Sequence, residues 1–368
     1  MDDSTSHDHA ITEEQAWSKL KDLKEILTTK RNTLATQLRT YEAGEPVELE
    51  QVTRTLQETQ RAISDALPSS DNGPAEYSIR ELIEGYWEQA QNRKNTATTG
   101  FSKLVEILSG GFEPLRLVGV LGAPNCGKTT FTHQIADHVA NSGRPVLYVT
   151  SEDTPAALLA KTLARIGKVK YSAVLKGWES EKDKINEALA TQLDRLSSQR
   201  LRYLDATNGI LIHEIRDRAR AHFLRYGEAN DGGPGVLVID YLQRIARAIK
   251  AKSGLNKDLR EVVSDVTDQL RAIAYELNCT VLAIASQNRT NYARGEQGSM
   301  GSAKESGDIE YTCDVMMALN EDVKSNRMVP AGQTPIKLFV DKNRQGERGK
   351  TVDLNFWAER QTFTSVAD

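Results

Sequence analysis

Apolar residues recur at three-, four- and seven-residue steps near the start of the chain, at Trp17, Leu20, Leu23, Leu27, Leu34, Leu38 and Tyr41. With the capping pattern Thr12-x-x-Gln15 ahead of them, they predict one helical face running to about Tyr41. AGEP at 43–46 breaks the helix, and Val52, Leu56, Ile63 and Leu67 resume the rhythm. Residues 11–67 therefore predict an antiparallel helical hairpin, and 1–10 a disordered tail. Two such helices bury little alone, so the hairpin is either self-packed or an element for oligomerisation or partner binding. PSSDNGPAE at 68–76 is a linker by composition, and 78–93 is an amphipathic helix with Ile79, Leu82, Ile83, Tyr86 and Trp87 on one side. Residues 68–100 thus connect the hairpin to the rest.

From Phe101 the pattern changes to short apolar runs alternating with helical stretches. That alternation predicts an α/β domain over 101–368 with a mostly parallel sheet. The candidate strands are 117–121, 145–150, 201–205, 235–240, 280–286, 314–319, 335–341 and 350–356. The last two flank a Gly-containing loop and predict a hairpin. No internal repeat is present.

Composition narrows the picture. The 368 residues suit two domains, and 39% hydrophobic with 27% charged residues suits a soluble globular protein. No run of 18 apolar residues offers a membrane span. The polar, acidic start argues against a signal peptide. Cys126, Cys279 and Cys313 have neither metal-ligand spacing nor an even count for disulfides, which points to a reducing cytoplasm. The formal net charge is −4. Any nucleic-acid contact must therefore come from a local basic patch.

The stretch GAPNCGKT at 122–129 fits G-x-x-x-x-G-K-[ST], between an apolar strand and a helix. That is a P-loop, whose backbone N–H groups converge on phosphates at a helix N-terminus. The candidate nucleotide contacts are Gly122, Ala123, Pro124, Asn125, Cys126, Gly127, Lys128, Thr129 and Thr130. Lys128 suits the β and γ phosphates and Thr129 suits Mg²⁺, so ATP and Mg²⁺ are the expected ligands. VLVID at 236–240 is a buried-strand pattern ending in a carboxylate, and Asp240 can hold the same Mg²⁺. Glu152 follows another strand, ahead of a Thr154-Pro155 helix start. It is a candidate base for the attacking water, or simply favourable charge at a helix start. Gln287, at the tip of AIASQ, is a candidate γ-phosphate sensor, with an ordinary strand-ending amide as the alternative.

Several segments then occur in order: VLVIDYLQ (236–243), LRAIAYELN (270–278), AIASQNR (283–289), KESGDIEYTCD (304–314) and VDKNRQGERG (340–349), with TTGFSKLVEILSGGFEP (98–114) at the entry. Together they resemble the ATPase core of DnaB-type hexameric helicases, a RecA-like fold, over about residues 78–359. The resemblance implies that Lys342 and Arg344 reach a neighbouring subunit's nucleotide, Arg344 as the arginine finger. It also implies that Lys304, Glu305 and Gly307 grip single-stranded DNA in a central channel. Arg244, Arg247, Lys250, Lys252 and Lys257 lie where the family's other channel loop falls. They form a backbone-tracking patch or a solvated helix face.

Four features depart from the family. The large N-terminal helical domain is replaced by the 11–67 hairpin. One residue is extra between Glu152 and Pro155. Lys304 stands for the usual Arg. Residues 227–235 look inserted. Cys126 within the P-loop suggests oxidant sensitivity. The expectation is an ATP-driven, homo-oligomeric ring motor on single-stranded DNA, a hexamer as the resemblance implies. The alternative is a RecA-like regulatory ATPase that docks a partner through its hairpin without unwinding.

Overall fold

The computed structural model describes residues 13–42, 95–177, 179–197, 200–226, 233–253, 257–286, 307–323, 327–344 and 346–366, with helical positions at 51, 52, 54, 55, 58, 59, 79 and 83. The expected tail 1–10, the linker 68–76 and positions 227–232 lie outside the described residues, as does most of the 78–93 helix. The chain divides into two compact units, Met1–Trp87 and Glu88–Asp368.

In the first unit, α1 (Glu13–Glu42) carries a half-buried stripe of Leu27, Lys30, Leu34 and Gln37. Lys30 pairs with Glu58, and Gln37 donates from Nε2 to Gln51 Oε1 at 3.2 Å. As the α1 position rises by seven, its partner's falls by seven, so these contacts join segments running in opposite directions. Leu38 departs from the expected face and is 57% exposed. At 3.6 residues per turn it lies roughly 60° round the helix from the stripe's centre.

The second unit begins with α2 (Ser102–Ile107) and then alternates strands and helices: β1 (Arg116–Gly122), α3 (Lys128–Asn141), β2 (Val146–Thr150), α4 (Pro155–Ile166), α5 (Tyr171–Leu175), α6 (Lys182–Ser197), β3 (Leu201–Asp205), α7 (Ile212–Tyr226), β4 (Val236–Asp240), α8 (Leu242–Ser253), α9 (Leu259–Glu276) and β5 (Thr280–Ile284). After the undescribed 287–306 come α10 (Gly307–Thr312), β6 (Val315–Glu321), β7 (Thr334–Asn343), β8 (Lys350–Trp357) and β9 (Thr362–Ser365). The strand order is β3-β2-β4-β5-β1-β6-β7-β8-β9. The first six strands of that order are parallel and the β7-β8-β9 edge is antiparallel. The expected α/β architecture and the closing hairpin are both present, and β9 is an addition to the expected strands.

Strand alternation divides the core between two faces. Val118 and Val120 of β1 meet Phe131, Ile135 and Val139 of α3 on one side. Leu117 and Leu121 meet Leu270, Ile273 and the α7 residues Ile215 and Phe223 on the other. Helices on both faces explain why β4 is apolar at consecutive positions and fully buried. Every parallel strand ends at the same sheet edge. There Thr150 stands opposite Asp240, and Ile284 opposite Val120. The loops after β1, β2, β4 and β5 therefore leave from one edge, where ligands of open α/β sheets bind.

Candidate functional site

The P-loop turns between β1 and α3 on two close approaches. A Cβ on Gly122 would stand 2.6 Å from Cys126 Sγ and 2.8 Å from Leu319 O. One on Gly127 would meet Phe363 Cζ at 2.8 Å, and Gly127 also has φ +87°. Both glycines are thus required by space, and Gly127 by conformation as well. Phe356 and Phe363, which back Gly127, are stacked with centroids 4.5 Å apart. Gln134 of α3 fixes Phe363 from both sides, donating to its carbonyl at 2.9 Å and accepting from its N–H at 2.8 Å.

Lys128 Nζ donates to Gly122 O at 2.9 Å and Ala123 O at 2.7 Å. Burial holds its pKa below the usual lysine value. Thr129 Oγ1 donates to Asp240 Oδ1 at 3.3 Å, and Tyr148 donates to Asp240 Oδ2 at 2.7 Å. Burial pushes Asp240 up to about 6, against the lowering effect of those two hydrogen bonds. Ser151 ties the β2 and β4 exits together. Its hydroxyl donates to Asp240 O at 2.9 Å and accepts from Tyr241 N at 3.1 Å. Glu152, next in the chain, is exposed. Thr154 caps α4 through Ala157 N, with Pro155 in the first turn, as the sequence predicts.

Lys128, Thr129, Glu152 and Asp240 line one cleft of about 610 Å³, together with Pro124, Asn125, Thr130 and Lys161. Lys161 pairs with Asp153 at 2.9 Å. Among the described residues no group of three or more His, Cys, Asp or Glu could cage a metal. A hydroxyl and one carboxylate side by side instead suit Mg²⁺, which keeps waters and takes its remaining ligands from phosphates.

Sequence reasoning did not single out several residues of this site. Tyr148 orients Asp240. Phe356, Ala358 and Gln361 form the far wall of the cleft, with Gln361 Oε1 accepting from Thr130 Oγ1 at 2.7 Å. Gln243 bonds Ser286 twice, donating to its carbonyl at 3.2 Å and accepting from its N–H at 3.1 Å. Gln287 itself lies outside the described residues. Cys126 corrects the expected oxidant sensitivity: its thiol is buried and burial raises its pKa, which lowers the reactive thiolate fraction.

The basic candidates separate. Arg244 and Arg247 are exposed on α8, and Lys250 is half-buried. Lys252 donates to Gly209 O at 2.9 Å, and Lys257 pairs with Asp265 at 2.6 Å. The expected patch of five is therefore narrower, because two of its cations have partners within the chain. Lys304 and Glu305 lie outside the described residues, and Gly307 opens α10.

Lys342 and Arg344 stand away from this cleft. Val315 of β6 pairs with Asn343 and with Val118, so the end of β7 is level with the starting half of β1 across β6. The P-loop leaves β1 at Gly122, about 13 Å further along the strand. Lys342 Nζ donates to Glu310 O at 2.7 Å and Tyr311 O at 3.1 Å. Arg344 donates to Tyr311 O at 3.2 Å and pairs with Asp314 at 3.4 Å.

The model of the DnaB-like helicase C terminal domain family matches residues 97–365. The chain belongs to this family. It is 29% identical over 328 residues to the replicative DNA helicase DnaC of Bacillus subtilis, a match covering 86% of this chain and 68% of that protein. It is 26% identical to the replicative DNA helicase DnaB of Pasteurella multocida, covering 83% of this chain and 64% of that one. The chain thus spans about two thirds of the length of these relatives. A solved ATPase domain superposes with a TM-score of 0.66 at 20% identity, over 79% of this chain and all of that one. A DnaB-like replicative helicase studied with primase superposes with a TM-score of 0.68 at 17% identity, over 95% of this chain and 76% of that one. These likenesses show the RecA-like fold expected from the sequence. No described helix is long and apolar enough to cross a membrane.

Proposed function

We propose that the protein is an ATP-hydrolysing ring motor acting on single-stranded DNA, a DnaB-like helicase or translocase. One observation carries the reading: the Lys128 ammonium, the Thr129–Asp240 pair and the Glu152 carboxylate line a single cleft at the strand-end edge. Lys128 neutralises charge on the β and γ phosphates. Thr129 and Asp240 hold Mg²⁺, which when bound stabilises charge developing on the phosphate oxygens. Glu152 orients the attacking water and takes its proton. Gln287 follows the Ser286 backbone that Gln243 fixes, and senses the γ-phosphate.

Arg344 acts in trans. Its guanidinium lies at the sheet edge opposite its own P-loop, so it serves the nucleotide of a second copy, with Lys342 beside it. That requirement makes the active species a closed homo-oligomer, a hexamer by family resemblance. Lys304, Glu305 and Gly307, with Arg244, Arg247 and Lys250, contact the DNA backbone without reading sequence. Residues 11–67 supply a helical hairpin for assembly or for a protein partner. The compartment is the cytoplasm, where three buried free thiols are stable.

Lys128→Ala is expected to abolish nucleotide binding. Glu152→Gln is expected to keep binding and lower kcat by at least about a hundredfold, since geometry stays and the base goes. Nucleotide titration and steady-state ATPase check both. A wild-type rate from Glu152→Gln removes the base assignment.

A further inference from the structure

The trans finger raises a question that the P-loop does not: what holds a long, flexible arginine in place at the end of a strand. Arg344 is 43% exposed and directly follows the end of β7. One side chain reaches it from within the core. Asp314, in the turn between α10 and β6, is 1% exposed. Its Oδ2 accepts from Leu117 N at 3.1 Å, which pins the carboxylate to the start of β1. Its Oδ1 faces Arg344 at 3.4 Å and Arg271 at 3.3 Å. Its backbone carbonyl accepts from Arg344 N at 3.1 Å. Asp314 therefore holds both the main chain and the guanidinium of Arg344.

The end of α10 completes the cradle. The last carbonyls of a helix lack partners within the helix and favour cations. Here Lys342 takes Glu310 O and Tyr311 O, Arg344 takes Tyr311 O, and Arg271 takes Thr312 O at 2.5 Å. Two guanidiniums, those of Arg271 and Arg344, share the one Asp314 carboxylate, and Lys342 stands on the neighbouring helix-end carbonyls. Asp314 can orient Arg344 without cancelling the charge that a phosphoryl group would meet. A guanidinium with its fork already fixed loses less freedom on engaging a phosphate.

We propose that Asp314 is the positioning residue of the Arg344 finger, acting from a cradle formed with Arg271 and the C-terminal carbonyls of α10. The proposal rests on the reading of Arg344 as a trans-acting group. It assigns a functional part to the last residue of KESGDIEYTCD, seven positions past Gly307, the last residue expected at the DNA. Gly307, among the expected DNA contacts, opens the same short helix whose carbonyls hold the finger. Gly307 and the carbonyls that hold the finger thus belong to one short helix.

Because the finger serves a neighbour, its loss can be told apart from damage to the chain's own site. Asp314→Asn, Arg344→Ala and Lys128→Ala chains are prepared singly. Each of the first two is also mixed with Lys128→Ala chains, with co-assembly verified by two affinity tags. Asp314→Asn alone is expected to lose on the order of ten- to a hundredfold in kcat, with KM for ATP moving less than about twofold. Mixed with Lys128→Ala chains, it is expected to regain ATPase, because Lys128→Ala subunits bring a correctly held Arg344 to intact P-loops. Recovery by Arg344→Ala mixtures but not by Asp314→Asn mixtures would place the defect in the chain's own β1 and P-loop and overturn the positioning role. Recovery by neither mixture would overturn the trans finger, and the proposal with it. Should Asp314→Asn chains fail to co-assemble, Asp314→Glu, which keeps the charge but shifts it by one methylene, is mixed in the same way with the same two outcomes.

Discussion

Asp240 shows how one buried side chain can prepare a metal site. Its carboxylate is 3% exposed, held by Thr129 and Tyr148, and pushed up to about 6 from an ordinary 3.8. The raised value means that folding takes up a proton between those two pH values. This group's contribution to stability is therefore complete below about pH 4 and lost as pH rises through about 6. Mg²⁺ reverses the preference, because it needs the ionised form. The thermal shift given by Mg²⁺ and a non-hydrolysable nucleotide is thus expected to grow as pH rises through about 6 and to level off above it. Asp240→Asn chains are expected to lack that rise, in melts run from pH 5 to 8. Lys304, proposed to contact DNA, carries a second residue-scale expectation. Lys304→Ala should make the salt dependence of single-strand binding shallower by about 0.7 in log–log slope, one phosphate contact, and leave ATP affinity unchanged. A salt titration with a non-hydrolysable nucleotide present reads both.

At the scale of elements, the sequence reading recovered what is local and missed what depends on strand order. The P-loop, the VLVID strand and the Thr154-Pro155 helix start are each written in under ten consecutive residues, so pattern alone found them. Tyr148 looks like any apolar strand residue until β2 is seen to pair with β4, which brings its hydroxyl to Asp240. Gln243 gains its meaning only because β4 lies beside β5. β9 was hidden because Phe363 is its single apolar residue and a short turn, Ala358–Arg360, separates it from β8. Yet β9 and β8 form the wall behind the P-loop. Gly127→Ala is therefore expected to weaken nucleotide binding at least about tenfold, since a Cβ meets Phe363 and the left-handed backbone costs of order 1–3 kcal/mol. Titration with a fluorescent nucleotide, beside a circular dichroism melt to confirm the fold, measures the effect.

For the whole molecule, the sheet separates two chemistries. One edge carries the cleft with Lys128, Thr129, Glu152 and Asp240. The opposite end of the β1–β6–β7 ladder carries Lys342, Arg344 and Asp314. On the proposed trans reading of Arg344, a chain holding the two halves at opposite edges would complete its site by meeting another copy, and repetition of that head-to-tail contact would close a ring. With a formal net charge of −4, the proposed hold on DNA rests on a small set of local cations rather than on a broad field. Strand release from a duplex with a single-stranded tail tests this account most directly, comparing wild type with Glu152→Gln under saturating ATP and Mg²⁺. Release by the wild type is expected, and it is expected to stop with Glu152→Gln and with a non-hydrolysable analogue. ATP hydrolysis by the wild type without single-strand binding or strand release would contradict it and favour a regulatory ATPase.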